Sequence, residues 1–309
     1  MLAIVCPGQG SQTPGFLTPW LELPGVRERA EQMAAATGID LIAHGTVSDE
    51  ETIKDTAVAQ PLIVAAGLLT LPAVVGDAGV TVADFLAGHS VGEITAAAGA
   101  GVLQEADAVA FVAKRGAGMA AASAITPTGM SAVLGGSPAE VVARLEECGL
   151  TPANMNGAGQ VVAAGTMGQL AELAANPPAK ARVIPLKVAG AFHTGHMSPA
   201  VADLAAFAEG LSAGTPTVPV VSNADGGALT DGEDILARLV TQVTNPVRWD
   251  LCMETFVAQG VTGLIELAPA GTLVGLAKRG MKGVETLAVK TPDDLDAAAA
   301  LIAAHSHSA

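Results

Sequence analysis

Residues 82–87, apolar except for Asp84, read as a short buried strand that passes directly into Gly88-His89-Ser90-Val91-Gly92, after which a helical pattern occupies 93–100. A strand, a tight turn and a helix in immediate succession leave few architectures open. A short strand that is apolar nearly throughout is buried on both faces, which happens in parallel sheets covered by helices. The turn is of the G-x-S-x-G type. Its glycines avoid backbone clashes where strand and helix meet. The serine hydroxyl is held exposed at the C-terminal edge of the sheet, facing the N-terminus of the helix. The pattern alone arises often by chance. The strand before it and the helix after it make Ser90 the candidate nucleophile.

The rest of the chain repeats this alternation. The run 2–6 stops at Pro7-Gly8-Gln9-Gly10 and reads as a buried strand entering a loop. Helical patterns follow at 26–38, at 56–71 (apolar nearly all round, hence interior) and at 106–122. From 123 the style changes. A strand at 129–135 leads to Ser137-Pro138-Ala139-Glu140, a helix start with Ser at the cap, Pro at the first position and Glu three residues on. Strands at 151–155 and 160–165 flank a turn at 156–159, and a helix at 167–175 precedes a strand at 181–188. The order strand-helix-strand-strand-helix-strand fits a ferredoxin-like module. Helices then fall at 199–211, 232–243, 250–259 and 271–279, with strands at 218–222, 263–267 and 285–289. The expected architecture is a large α/β domain with a mostly parallel sheet, built from 1–122 and 190–309, and a ferredoxin-like subdomain inserted at 123–189. The tail 305–309 is expected to fray.

Composition excludes several functions. With a net charge of −15, the chain is a poor general nucleic-acid binder. Aromatic residues make up 3% and Tyr is absent, so Ala, Val, Leu and Gly must build the core. Cys6, Cys148 and Cys252 are an odd, widely spaced set without zinc-finger spacing, which suits reduced thiols. No signal peptide is expected from the first residues. The most apolar stretch, 61–75, is bracketed by Pro61 and Pro72, and the run between them is too short to span a bilayer. A cytoplasmic protein without a membrane or metal requirement is expected. Nothing calls for an oligomer, so a monomer is expected.

A serine nucleophile needs a base. Six histidines are available. His305 and His307 lie in the tail, His44 in a polar loop region, and His89 adjoins Ser90, so its side chain should point away. His193 and His196 remain, in a segment that follows a strand end, where sites of open α/β sheets gather. His193 is the chosen base and His196 is read as structural. Pro7-Gly8-Gln9-Gly10 lacks the dinucleotide fingerprint, but its glycines can bring backbone N–H groups close to an oxyanion.

Pro7-Gly8-Gln9-Gly10-Ser11-Gln12, Gly88-His89-Ser90-Val91-Gly92-Glu93, Gly190-Ala191-Phe192-His193 and Gln242-Val243-Thr244-Asn245-Pro246-Val247-Arg248-Trp249, with Ala153-Asn154-Met155-Asn156-Gly157 in the insert, occur in the order seen in one enzyme family. Over nearly its whole length the chain resembles the malonyl-CoA:acyl carrier protein transacylases of fatty acid and polyketide synthesis. The resemblance implies an α/β-hydrolase-like large domain. It also implies a Ser90–His193 dyad, with the Gln242 carbonyl orienting the histidine in place of the acid of a full triad. It makes the backbone N–H groups of Gln9 and Val91 the oxyanion hole and Arg115 the partner of the malonyl carboxylate. Phe192 resembles the malonyl-preferring form, its ring leaving little room for a methyl branch. No cofactor is implied, since the CoA thioester is a substrate, and the second partner is acyl carrier protein.

Two rivals remain at this level. One is a thioesterase or hydrolase on the same elbow, against which Arg115 and the missing acid argue. The other is a non-catalytic carrier-protein docking module. Acyl carrier proteins are typically acidic, as is this chain, so docking needs a local basic patch. Lys278, Arg279 and Lys282, with Arg182 and Lys187, are the candidates on the rim between domains.

Overall fold

The computed structural model describes residues 1–306. Among them, strands follow the chain as β1 (Leu2–Cys6), β2 (Phe85–Gly88), β3 (Thr128–Gly135), β4 (Thr151–Gly157), β5 (Gln160–Thr166), β6 (Ala181–Pro185), β7 (Val220–Val221), β8 (Ala228–Leu229), β9 (Gly263–Glu266) and β10 (Glu285–Ala288). They form two sheets. The first has the order β10-β9-β1-β2-β7-β8 and is parallel except for β8. The second has the order β4-β5-β3-β6 and is antiparallel. The fold is thus mixed α/β with a mostly parallel main sheet.

Strand β1 is apolar at every position. Leu2, Ile4 and Cys6 face one hydrophobic cluster while Ala3 and Val5 face another. With both faces buried, no position is left for a polar side chain. The second sheet packs Val133, Val161 and Ala163 against its own helices, Pro138–Glu147 and Met167–Ala175, in a small separate cluster. Its other face contributes Met130, Val162 and Ala164 to the main core. Val247 stitches the two parts together: its N–H donates to the Ala153 carbonyl at 2.9 Å, and its own carbonyl accepts from Met155 N–H at 2.9 Å.

Several local expectations need correction. The apolar stretch is not bracketed by its prolines. Helix Thr56–Val75 runs through both Pro61 and Pro72 for 20 residues. At roughly 1.5 Å per residue that is long enough to span a bilayer, yet most of it is buried inside the protein, packed on helix Glu105–Ser123. Pro72 cannot donate to the Leu68 carbonyl one turn earlier. Arg29 Nη2 supplies the missing hydrogen bond at 3.1 Å. Ser137 precedes its helix as expected but makes no side-chain cap, because that exposed first turn can be satisfied by water. The capping box lies instead at Thr166 and Gln169. The turn in the insert tightens to Ala158 and Gly159, which leaves Asn156 within β4. The C-terminal segment does not fray through His305. It forms helix Leu295–His305, and His305 bonds Thr262 at 2.9 Å and Glu285 at 3.0 Å. His307 lies outside the described residues.

Replacing Arg29 with Ala should cost about 1–2 kcal/mol by urea unfolding, the price of an unsatisfied carbonyl. The cost should shrink in a Pro72→Ala background, where a backbone N–H returns. Equal costs in both backgrounds would contradict this account.

Candidate active site

The site lies where the C-terminal ends of β1 and β2 meet. Ser90 turns the chain from β2 into helix Gly92–Gly99 with φ of 53°, a left-handed conformation that costs a non-glycine residue roughly 1 kcal/mol or more. The flanking glycines are required by close approach. A Cβ on Gly92 would lie 2.2 Å from the Cys6 carbonyl oxygen, and one on Gly88 would lie 1.9 Å from the Gly92 carbonyl carbon. Asn223, fully buried just beyond β7, clamps the turn. Its Oδ1 accepts the Ser90 N–H at 2.7 Å, and its Nδ2 donates to the Gly88 carbonyl at 2.7 Å.

His193 meets the serine from the other side. The Ser90 Oγ to His193 Nε2 distance is 2.7 Å. Nδ1 lies 2.9 Å from the Gln242 backbone carbonyl, which can only accept, so the proton sits on Nδ1 and Nε2 is free to take one from the serine. Burial, reinforced by the nearby Arg115 charge, pushes the His193 pKa down to about 3, so the ring is a neutral base. Its backbone also has positive φ, 61°.

Arg115 is not the exposed helix charge that its neighbour Lys114 would suggest, for it is 1% exposed. Nη1 donates to Gln60 Oε1 at 2.6 Å and Nη2 to Gln242 Oε1 at 2.9 Å, while Nη2 stands 3.5 Å from Ser90 Oγ. Its Nε has no partner among the described residues. Burial lowers its pKa to about 10, which still leaves it charged at neutral pH. Glu93 lies beyond Gln242. It accepts from Asn223 N–H at 3.0 Å and from the Gln242 side-chain amide, and burial raises its carboxyl to about 7.

Gln9, Val91 and Phe192 line the cleft over Ser90 and His193, together with Met130 and Val162 of the second sheet. Neither the Gln9 nor the Val91 backbone N–H is taken by a hydrogen bond among the described residues. The other histidines among the described residues stay away from the serine hydroxyl. His89 bonds Asn156 Oδ1 at 2.9 Å and meets Trp249 edge-on. His196 is exposed. His44 belongs to helix Leu41–Thr46 rather than a loop, and bonds Ser48 at 3.0 Å. Thr272, Leu273 and Leu276 line the cleft from the helix that ends in exposed Lys278 and Arg279, and Leu186 and Val188 line it on either side of exposed Lys187. Arg182 and Lys282 are exposed as well. No cluster of three or more metal-ligating side chains occurs among the described residues.

Sequence reading missed Gln60, Asn223 and Glu93. Gln60 had a usable signal, a polar side chain in a helix otherwise apolar all round. Asn223 follows a strand end, where sites of such sheets gather.

The profile of the acyl transferase domain matches residues 3–301. A relative from Mycobacterium tuberculosis, named malonyl CoA-acyl carrier protein transacylase, is 52% identical over 297 residues, covering 96% of this chain and 98% of the relative. The crystal structure of MCAT from Mycobacterium tuberculosis, 52% identical, aligns with a TM-score of 0.94 over 97% of this chain and 99% of that one. A malonyl-transacylase solved in complex with its type II PKS acyl-carrier protein, 32% identical, aligns with a TM-score of 0.89 over 96% of this chain and 98% of that one.

By nitrogen NMR the free His193 ring should remain neutral and Nδ1-protonated from about pH 5 to pH 8, because its pKa lies below that window. A titration centred near the ordinary histidine value would contradict the environment described.

Proposed function

The chain belongs to the acyl transferase family, and from that premise we propose that it carries a malonyl group from malonyl-CoA to the phosphopantetheine thiol of acyl carrier protein by way of Ser90. One observation carries the choice of acyl group. A buried, charged guanidinium stands 3.5 Å from the serine hydroxyl and keeps an unpartnered Nε. A buried cation is costly without a counter-charge, and an acyl chain ending in a carboxylate brings one.

The reaction proceeds in two halves. Ser90 Oγ gives its proton to His193 Nε2 and attacks the thioester carbonyl. The backbone N–H groups of Gln9 and Val91 receive the oxyanion. The C–S bond breaks, and His193 returns the proton to the departing CoA sulfur. In the second half the carrier-protein thiol loses its proton to His193 and attacks the ester, and Ser90 leaves with that proton. Arg115 holds the malonyl carboxylate throughout. Pairing with that carboxylate also offsets the positive charge that depresses His193, so the right substrate strengthens the base. Phe192 narrows the acyl pocket against a branched chain. The CoA thioester is a substrate, and the scheme uses no metal or bound cofactor.

The backbone carbonyl on His193 Nδ1, in place of a carboxylate, supports transfer over a hydrolase triad. Carrier-protein docking at the cleft mouth is supported by Lys278, Arg279 and Lys187, whose basic side chains suit an acidic partner. We read the main sheet and its helices, 1–122 and 190–309, as a hydrolase-like domain. We read 123–189 as a ferredoxin-like insert, supported by the order β4-β5-β3-β6. All the named catalytic groups come from one chain, which suits a monomer. The unpaired Cys6, Cys148 and Cys252 suit the cytoplasm.

Intact-mass measurement after brief exposure to malonyl-CoA should find one malonyl adduct, absent from Ser90→Ala. Arg115→Ala should lose malonyl acylation by about 100-fold or more, given a charge-assisted contact of a few kcal/mol. An adduct on Ser90→Ala, or undiminished malonyl acylation in Arg115→Ala, would overturn the assignment.

A further inference from the structure

The acyl transfer described above gives no task to the buried carboxylate of Glu93. Glu93, 3% exposed, begins the helix after the elbow but touches neither Ser90 Oγ nor His193. Its Oε1 accepts the Asn223 backbone N–H at 3.0 Å, and its Oε2 accepts from Gln242 Nε2. Both oxygens therefore face donors, which favour the ionised, acceptor-only form against the burial that raises this carboxyl.

The consequence falls on Gln242. A primary amide has a donating end and an accepting end, and its surroundings decide which way it points. The NH2 group donates to Glu93 and, at 3.3 Å, to Asn223 Oδ1, so the oxygen must face the opposite side. There it accepts from Arg115 Nη2 at 2.9 Å, the same nitrogen that stands 3.5 Å from Ser90 Oγ. A flipped amide would set NH2 against the guanidinium, donor against donor. Gln60 holds only the other terminal nitrogen, Nη1.

We propose that Glu93 is a positioning residue for recognition of the acyl carboxylate: through the side-chain amide of Gln242 it holds the Arg115 guanidinium at Ser90. The inference rests on the reading of Arg115 given under the proposed function. It assigns Gln242 two separate tasks. Its backbone carbonyl orients His193, and its side chain relays the polarity of Glu93 to Arg115.

Glu93→Gln tests this with almost no change in shape. Whichever way the new amide turns, either the Gln242 side-chain amide or the Asn223 N–H meets a donor instead of an acceptor, so either Gln242 flips or Asn223 is displaced. The readout is the ratio of Ser90 acylation rates with malonyl-CoA and acetyl-CoA, followed by intact mass and normalised to sites labelled by a fluorophosphonate. In Glu93→Gln the ratio should fall by about tenfold, the worth of one misplaced charge-assisted hydrogen bond. Glu93→Asp, which keeps an acceptor-only group, should recover a clear part of the loss. An unchanged ratio in Glu93→Gln, or an equal fall in Glu93→Asp, overturns the role of Glu93. Should Glu93→Gln fail to fold, Gln242→Met breaks the same link with Glu93 in place. It should show the same fall, and an unchanged ratio there overturns the proposal. Arg115→Ala, run alongside, separates the two claims: if it keeps the wild-type ratio, the reading of Arg115 fails.

Discussion

A guanidinium buried beside a nucleophile governs this site. Taking Arg115 out of water costs several kcal/mol unless acceptors surround it, and Gln60 and Gln242 each supply one. On the proposed reading of Arg115, the remaining deficit is the basis of specificity, since a carboxylate on the substrate would complete what the protein leaves incomplete. Burial, reinforced by the same charge, keeps His193 a weak base in the free protein. Recognition and activation are therefore coupled through a single charge: an acyl group that lacks the carboxylate gains neither the ion pair nor the stronger base.

The backbone around this charge is correspondingly constrained. Ser90 and His193 both hold positive φ, and neither is a glycine. Strain of that kind persists only where the surroundings over-determine it. At Ser90 the surroundings are Asn223, which grips the turn on both sides of the serine, and glycines packed against the loop after β1. At His193 they are the Gln242 carbonyl and the buried Ala191 and Phe192 that precede it. The second sheet closes the cleft from above. It is held by Val247 on the edge of β4 and by Asn156 on His89, so the wall of the acyl pocket is tied to the residue next to the nucleophile.

Much of this was legible in the sequence because it is local. Short apolar runs located β1, β2 and the elbow. His193 was reached through a strand expected to run to 188, but β6 ends at Pro185 on the edge of the second sheet, and the histidine lies eight residues further on. Motif resemblance, rather than any local pattern, singled out Arg115, whose neighbour Lys114 suggests an exposed face. What escaped was set by distant contacts. Gln60, Glu93 and Asn223 are separated widely along the chain and acquire meaning only when Glu93 and Asn223 meet at Gln242 and Gln60 meets Arg115. The prolines of helix Thr56–Val75 misled for a related reason: the hydrogen bond lost at Pro72 is replaced by Arg29, which no nearby residue announces.

The central claim is that Arg115 grips the far end of an acyl group whose near end is esterified to Ser90. A crystal structure of the malonyl-loaded protein tests it most directly. The account predicts an ester on Ser90 Oγ, its carbonyl oxygen facing the Gln9 and Val91 N–H groups, and the terminal carboxylate paired with the Arg115 guanidinium. A carboxylate turned to solvent or held by a different cation, with Arg115 still bound only to Gln60 and Gln242, would contradict it.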